Sequence, residues 1–294
     1  MLDAIIVGGS YAGLSAALQL ARARREILVI DGGRRRNRFA EASHGFLGQD
    51  GRAPGAIADD ARAQLMAYPT VRWIDAQAER SQAIAQGFAI ETPGATHDAR
   101  RLILATGVVD ALPAIPGLAE RWGRSVFHCP YCHGYELNKG RIGVLGISPM
   151  SMHHALMLPD WGETTFFVND AFALDETQIA QLRKRGVRIE HEPVAAISGD
   201  ADVRLRDGRT ITLDGLFTMT QTQPASPLAE QLGCALEDGP AGPYIRTDMT
   251  KETSVPGVFA CGDLARAAGS VAFAVGDGAQ AGVSAHRSLI FEGL

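Results

Sequence analysis

Short apolar runs recur along the chain, and what separates them sets the pattern. Residues 4–7 (Ala-Ile-Ile-Val) are continuously apolar, as in a strand buried on both faces. A glycine-rich turn from Gly8 to Gly13 follows, and apolar positions then recur at helical spacing from 14 to about 24. A second run at 27–30 ends on Asp31, which completes a βαβ opening. Residues 32–54 show no period and predict a loop. A helix is expected over about 55–68, with short strands at 71–74 and 88–90 separated by a polar spacer. A further buried strand runs from Arg101 into the small-residue turn Ala105-Thr106-Gly107.

Pro113, Pro116 and Gly117 mark a linker, after which the pattern repeats. A strand over 141–145 closes on Gly146, followed by a helix at about 150–158 and a strand at 164–168. A helix at 176–185 and a strand at 187–190 come next. Residues 203–206 and 211–213 flank Asp207-Gly208, which predicts a two-residue type I′ hairpin. A strand over 216–220 follows. Residues 255–260 lead into Gly262-Asp263, then into a small-residue helix. The expected fold is α/β, with two Rossmann-like, three-layer domains, one inserted into the other.

Composition changes this picture little. The 294 residues suit one large or two ordinary domains, and 46% hydrophobic content supports full cores. A net charge of −5 argues against a nucleic-acid partner. The local exception, Arg34-Arg35-Arg36 with Arg38, reads as a solvated loop or as a group that neutralises a pyrophosphate. No apolar run reaches the roughly 18 residues a bilayer requires. The opening lacks a signal-peptide pattern, so the expectation is a cytoplasmic protein without a membrane partner.

The candidate chemistry lies at Cys129-Pro130-Tyr131-Cys132, flanked by His128 and His133. Two cysteines at this spacing can close a disulfide within one helical turn, and a helix N-terminus favours the thiolate. Histidine moves protons near neutral pH, so His133 is a candidate base, with a structural hydrogen bond as the other reading. Half a zinc site, or two buried thiols, are the other readings of the pair. Zinc needs about four ligands, however, and Cys234 and Cys261 stand alone, so no metal is expected. In the first turn, Gly8 permits a tight bend and Gly13 close helix packing. The amides of Gly9, Ser10 and Ala12 would meet a pyrophosphate, and Asp31 with Gly32 a ribose.

The chain resembles low-molecular-weight thioredoxin reductases of the pyridine nucleotide-disulfide oxidoreductase superfamily over essentially its whole length. Four separated motifs carry the likeness: Gly8 to Gly13 with Asp31, Ala105-Thr106-Gly107, Cys129-x-x-Cys132-x-Gly134, and the stretch from Thr253 to Asp263. The resemblance implies an FAD domain at 1–113 and 245–294, a central NAD(P)-binding-like domain at 117–242 carrying the cysteines, and a homodimer. FAD would be held by the first loop, Asp31, Arg36, Asn37, residues 105–107, Gly262, Asp263, and the backbone at Val271 and Ala272. Cys132 would be the flavin-side sulfur and Cys129 the exchange sulfur. The Cys-Pro-Tyr-Cys tetrapeptide also occurs in glutaredoxins, but the small glutaredoxin fold is absent around it.

The nicotinamide side departs from the family pattern. Ile147, Ser148 and Pro149 stand in the second glycine loop. The stretch 168–174 has no Arg or Lys for a 2′-phosphate and contains Asp170. Gln221-Thr222-Gln223-Pro224 lacks the family's glycine. His133 replaces an acidic residue. The run Cys-His-Gly-Tyr-Glu and the stretch from Ser43 to Gly51 look like the dithiol oxidase branch, the gliotoxin and holomycin type. That branch passes electrons from a small dithiol through the cysteines and FAD to molecular oxygen. The alternatives are an NAD(P)H-dependent thioredoxin reductase acting on a protein disulfide, and a disulfide reductase supplied by ferredoxin or a second flavin.

Overall fold

The computed structural model describes residues 1–292. In chain order it opens with β1 (Leu2–Val7), α1 (Tyr11–Arg22), β2 (Ile27–Asp31), α2 (Pro54–Met66), β3 (Val71–Asp75), β4 (Arg80–Ile84), β5 (Gly87–Thr92), β6 (Ala95–Leu104) and β7 (Val108–Ala111). Next come β8 (Val126–Phe127), α3 (Pro130–His133), β9 (Lys139–Leu145), α4 (Ser151–Met157), β10 (Gly162–Phe167), α5 (Glu176–Lys184) and β11 (Arg188–Glu190). They are followed by β12 (Val194–Ser198), β13 (Asp202–Leu205), β14 (Thr210–Ile211), β15 (Gly215–Thr218) and β16 (Gln221–Pro224). The chain closes with α6 (Leu228–Gln231), β17 (Leu236–Gly239), β18 (Gly242–Ile245), β19 (Val258–Ala260) and α7 (Val271–Ile290).

The residues form two compact units. The first comprises 1–38, 46–109 and the chain from 222 onward; the second comprises 39–45 and 110–221. The sequence reading ran the central domain to 242, but Leu228, Ala229 and Cys234 pack with Ile5, Phe88 and Ile90 in a core of the first unit. Its outer limit at 294 lies outside the described residues.

In the first unit, β1 pairs in parallel with β2 and β6, β2 with β3, and β19 with β6. An antiparallel ribbon of β4, β5 and β6 continues the sheet. Strand periodicity sends Ala4, Ile6, Ile27 and Val29 to one face, under α1 and α7. Ile5, Val7, Leu28 and Ile30 line the other face. Helices α1 and α7 approach closely because glycines line the seam. A Cβ on Gly278 would lie 2.1 Å from the Ala12 carbonyl oxygen, and one on Gly282 2.4 Å from that of Ala16.

The second unit repeats the plan. Its sheet is ordered β11-β10-β9-β15-β8 and is parallel throughout, beside a small antiparallel sheet β12-β13-β14. Phe166, Phe167 and Phe217 are fully buried in it.

The fold departs from the sequence expectation in several places, and three have a clear cause. Strand β4 lies inside the expected polar spacer, where only Ser81 is buried, so no apolar alternation announces it. Strand β6 begins at Ala95 rather than near 101, because its polar first half pairs with β5. The hairpin at Asp207-Gly208 is not type I′. Gly208 alone is left-handed, at φ +92°, and its N–H donates to the Leu205 carbonyl at 3.1 Å. The Asp207 carboxylate accepts the Arg209 N–H at 2.9 Å, which holds Asp207 right-handed in a type I turn with a glycine bulge.

Among the described residues no helix is long and apolar enough to cross a membrane. None of their His, Cys, Asp and Glu side chains cluster so as to hold a metal ion.

Candidate active site

In the first unit the carboxyl ends of three adjacent parallel strands, β1, β6 and β19, bring Gly8 to Gly13, residues 105–107 and Gly262-Asp263 together. Ligands bind at this edge in open α/β sheets. The three glycines of the first loop have no room for side chains. A Cβ on Gly8 would sit 2.3 Å from the Ala105 carbonyl oxygen, and one on Gly9 2.4 Å from the Trp73 ring. A Cβ on Gly13 would sit 1.7 Å from the Gly8 carbonyl oxygen. Ser10 caps α1 without a side-chain bond, and the first intrahelical bond is Leu14 N–H to Ser10 at 2.8 Å. The amides of Tyr11, Ala12 and Gly13 precede that bond, as at any helix start, and suit an anion.

Asp31 receives the N–H groups of Gly9 and Gly33 on one oxygen, both at 3.1 Å, which fixes the carboxylate at the end of β2. Arg36 Nη1 donates to Asp263 Oδ2 at 2.8 Å, so two residues expected to touch a cofactor separately are joined to each other. Gly262 is left-handed, at φ +72°. Val271 and Ala272 open α7, whose N-cap Ser270 side chain accepts the Phe273 N–H. Asn37 donates to the Tyr11 hydroxyl at 3.1 Å, and that hydroxyl donates to the Pro54 carbonyl at 3.0 Å. The Asn37 Oδ1 atom is buried without a hydrogen-bond partner. Three glycines without room for a Cβ, first-turn amides and an orphaned buried acceptor together fit a dinucleotide such as FAD.

Sequence reasoning missed Tyr11, Trp73 and Asp277. Tyr11 sits inside the glycine loop and could have been flagged from its position. Trp73 has no local signal. Neither has buried Asp277, which Lys251 meets at 2.7 Å and Arg266 at 3.0 Å.

In the second unit Cys129 and Cys132 form a disulfide, with Cα atoms 5.3 Å apart. Cys129 is the N-cap of α3, and Pro130 takes the first helical position, where a missing N–H costs nothing. Helix α3 is a single turn continued by a 3₁₀ turn, Tyr135–Leu137, so the dipole that favours a thiolate is short. Gly134 is required by packing: a Cβ there would lie 2.7 Å from the Trp161 ring.

His133 stacks on Phe127, with ring centroids 4.3 Å apart. Its ring nitrogens are buried and make no hydrogen bond of normal geometry. Burial pushes its pKa below the usual histidine value, and His44 adds to this. Glu136 and the Cys129 carbonyl oppose it. His133 is therefore neutral at pH 7 and able to accept a proton. Glu136 lies 3.4 Å from His44 Nε2.

His154, behind His128, is buried, and its pKa is pushed down to about 3 by burial first and then by His128 and His153. The unfolded chain protonates this histidine near 6.5 and the folded chain does not. Its contribution to stability is therefore complete above pH 6.5 and is lost as pH falls toward 3. At about 1.4 kcal/mol per unit, urea midpoints should show roughly 2 kcal/mol less stability at pH 4.5 than at pH 7. His154→Leu should flatten that slope.

The second glycine loop has a different character. The Ile147 N–H donates to Ser151 Oγ at 3.1 Å, and Ser151 is fully buried. The N–H groups of Ser151, Met152 and His153 donate to the carbonyls of Ser148, Pro149 and Met150. Ile147 packs against the core of the unit. Arg206, from the hairpin, stands 4.0 Å from Asp170.

The chain belongs to the pyridine nucleotide-disulphide oxidoreductase family, whose model matches residues 2–279. It is an FAD-dependent disulfide oxidoreductase of the thioredoxin reductase-like kind. It is 34% identical to thioredoxin reductase tcpT of Claviceps purpurea, over 99% of this chain and 95% of that one. Among solved structures, an oxidoreductase from Agrobacterium tumefaciens is 58% identical, with 99% of each chain covered and a TM-score of 0.97. The crystal structure of HlmI is 33% identical, covering 98% of this chain and 92% of that one, with a TM-score of 0.91.

Proposed function

We propose that the protein is a dithiol oxidase, with the first unit holding FAD through the residues described above and the second presenting the redox pair. The observation that carries this reading is the loop from Gly146 to Ser151. Within it the Ile147 N–H donates to the Ser151 hydroxyl and the Ser151 N–H to the Ser148 carbonyl, Pro149 has no N–H, and Ile147 fills the place of a glycine. A pyrophosphate would have to displace these bonds.

In the reaction, the substrate thiols give up their protons to solvent, and the first thiolate attacks Cys129, releasing Cys132 as a thiolate, with neutral His133 stacked on Phe127 beside the pair. The second substrate thiolate then attacks the mixed disulfide and releases Cys129. The substrate leaves as a disulfide, and the enzyme pair holds its two electrons. Bound FAD supplies the two-electron acceptor that restores the pair, with molecular oxygen taking the electrons as hydrogen peroxide. The reading includes a cytoplasmic homodimer.

A second reading, an NAD(P)H-dependent thioredoxin reductase, is favoured by the relatives' names and by Arg206 beside Asp170, a cation for a phosphate. Anaerobic titration separates the two. On the first reading, neither NADPH nor NADH at sub-millimolar concentration bleaches the flavin band, whereas a small dithiol does, and air restores it. Rapid bleaching by either nucleotide would sink that reading.

A further inference from the structure

We infer that Tyr131 and Tyr135 select the substrate, as an aromatic platform for a small dithiol carried on a flat ring. The inference rests on the dithiol reading above. Gly134 is helical, at φ −70° and ψ −34°, so the backbone runs unbroken from α3 into the 3₁₀ turn. Tyr131 and Tyr135 are thus four residues apart along one continuous helical stretch. Tyr131 lies between the two cysteines, and its ring meets Trp161 edge-on at 5.3 Å. Trp161 in turn packs against the Gly134 backbone. Tyr131 is therefore braced on one edge, and its ring loses little freedom on binding.

Both rings face outward, Tyr131 71% and Tyr135 84% exposed. Among the described residues of the second unit the next most exposed large apolar side chains, Met150 and Phe39, reach only 45% and 40%. Exposed apolar surface beside a reactive pair marks a recognition site. Its extent decides the kind of ligand. Two tyrosines offer roughly 300 Å², about half of what each partner contributes to even a small protein encounter. The charges alongside, Glu136 and Lys139, are opposite in sign and give no field to steer a charged protein. A ring of a few hundred Å² of apolar surface stacked on tyrosine matches the patch; a thioredoxin-sized face does not.

The test compares anaerobic flavin bleaching by 1,2-benzenedimethanethiol with bleaching by dithiothreitol, in the wild type and in Tyr135→Ala, Tyr131→Ala and Tyr135→Phe. The expected result is that each alanine variant slows bleaching by the aromatic dithiol about tenfold and by dithiothreitol less than twofold. Tyr135→Phe, which keeps the ring, should behave as wild type. Bound flavin reports folding of each variant. Equal slowing with both dithiols, or none with the aromatic one, would overturn the platform. So would a tenfold loss confined to oxidised thioredoxin as acceptor, which would make the patch a protein-docking face. Bleaching reads the exchange step whatever later accepts the electrons. Failure of colour to return in air would count against the oxidase reading alone.

Discussion

Cys129→Ser will remain yellow and will lose thiol–disulfide turnover by roughly 10⁶-fold, the scale seen when a catalytic nucleophile is removed. A hydroxyl is not ionised at neutral pH and cannot close a disulfide with Cys132, so the pair can neither accept nor hold two electrons. Cys132→Ser should be equally inactive but should behave differently toward substrate. Cys129, at the N-cap of α3, keeps its thiol, and a mixed disulfide formed there has no second cysteine to resolve it. Mass spectrometry of that variant after exposure to an oxidised small disulfide should show one added substrate half. Turnover by Cys129→Ser within tenfold of wild type would show that the pair is not the redox centre.

The second large effect lies at the first glycine loop. Gly13→Val places a Cβ 1.7 Å from the Gly8 carbonyl oxygen, a backbone atom at the end of β1 that cannot rotate away. Relief requires α1 to move off the strand, which opens the loop and breaks the glycine seam with α7. The variant should purify colourless and should be destabilised by about 3 kcal/mol, the upper range for overpacking. Gly276→Ala on the exposed face of α7 is the contrast, because nothing lies within 4 Å of its Cβ position. Helix propensity then acts alone and should stabilise by up to about 1 kcal/mol. Calorimetry and the flavin band of the two variants test the pair. A yellow, stable Gly13→Val would refute the assignment of the loop as the cofactor cradle.

The amino-acid sequence by itself determined the elements whose cause is local. The βαβ opening, Asp31 at the end of β2, the second parallel unit and the Cys129–Cys132 pair are written in runs and spacings of a few residues. A continuous apolar run is buried on both faces wherever the chain puts it, and a glycine turn between strand and helix has few other uses. Tertiary structure alone decided what depends on distant partners. Arg36 and Asp263 are 227 positions apart and join because the ends of β2 and β19 lie along the same sheet edge. The polar strand β4 exists because β5 offers it a ladder, and residues 222–244 join the first unit because Leu228, Ala229 and Cys234 find their core there. The second glycine loop combines both kinds of cause. Ile147 and Pro149 are legible, but only the fold brings the buried Ser151 hydroxyl to the Ile147 N–H and closes the loop on itself. Hydrogen-bond satisfaction of buried backbone is a property of the assembled structure, and no local pattern can supply it.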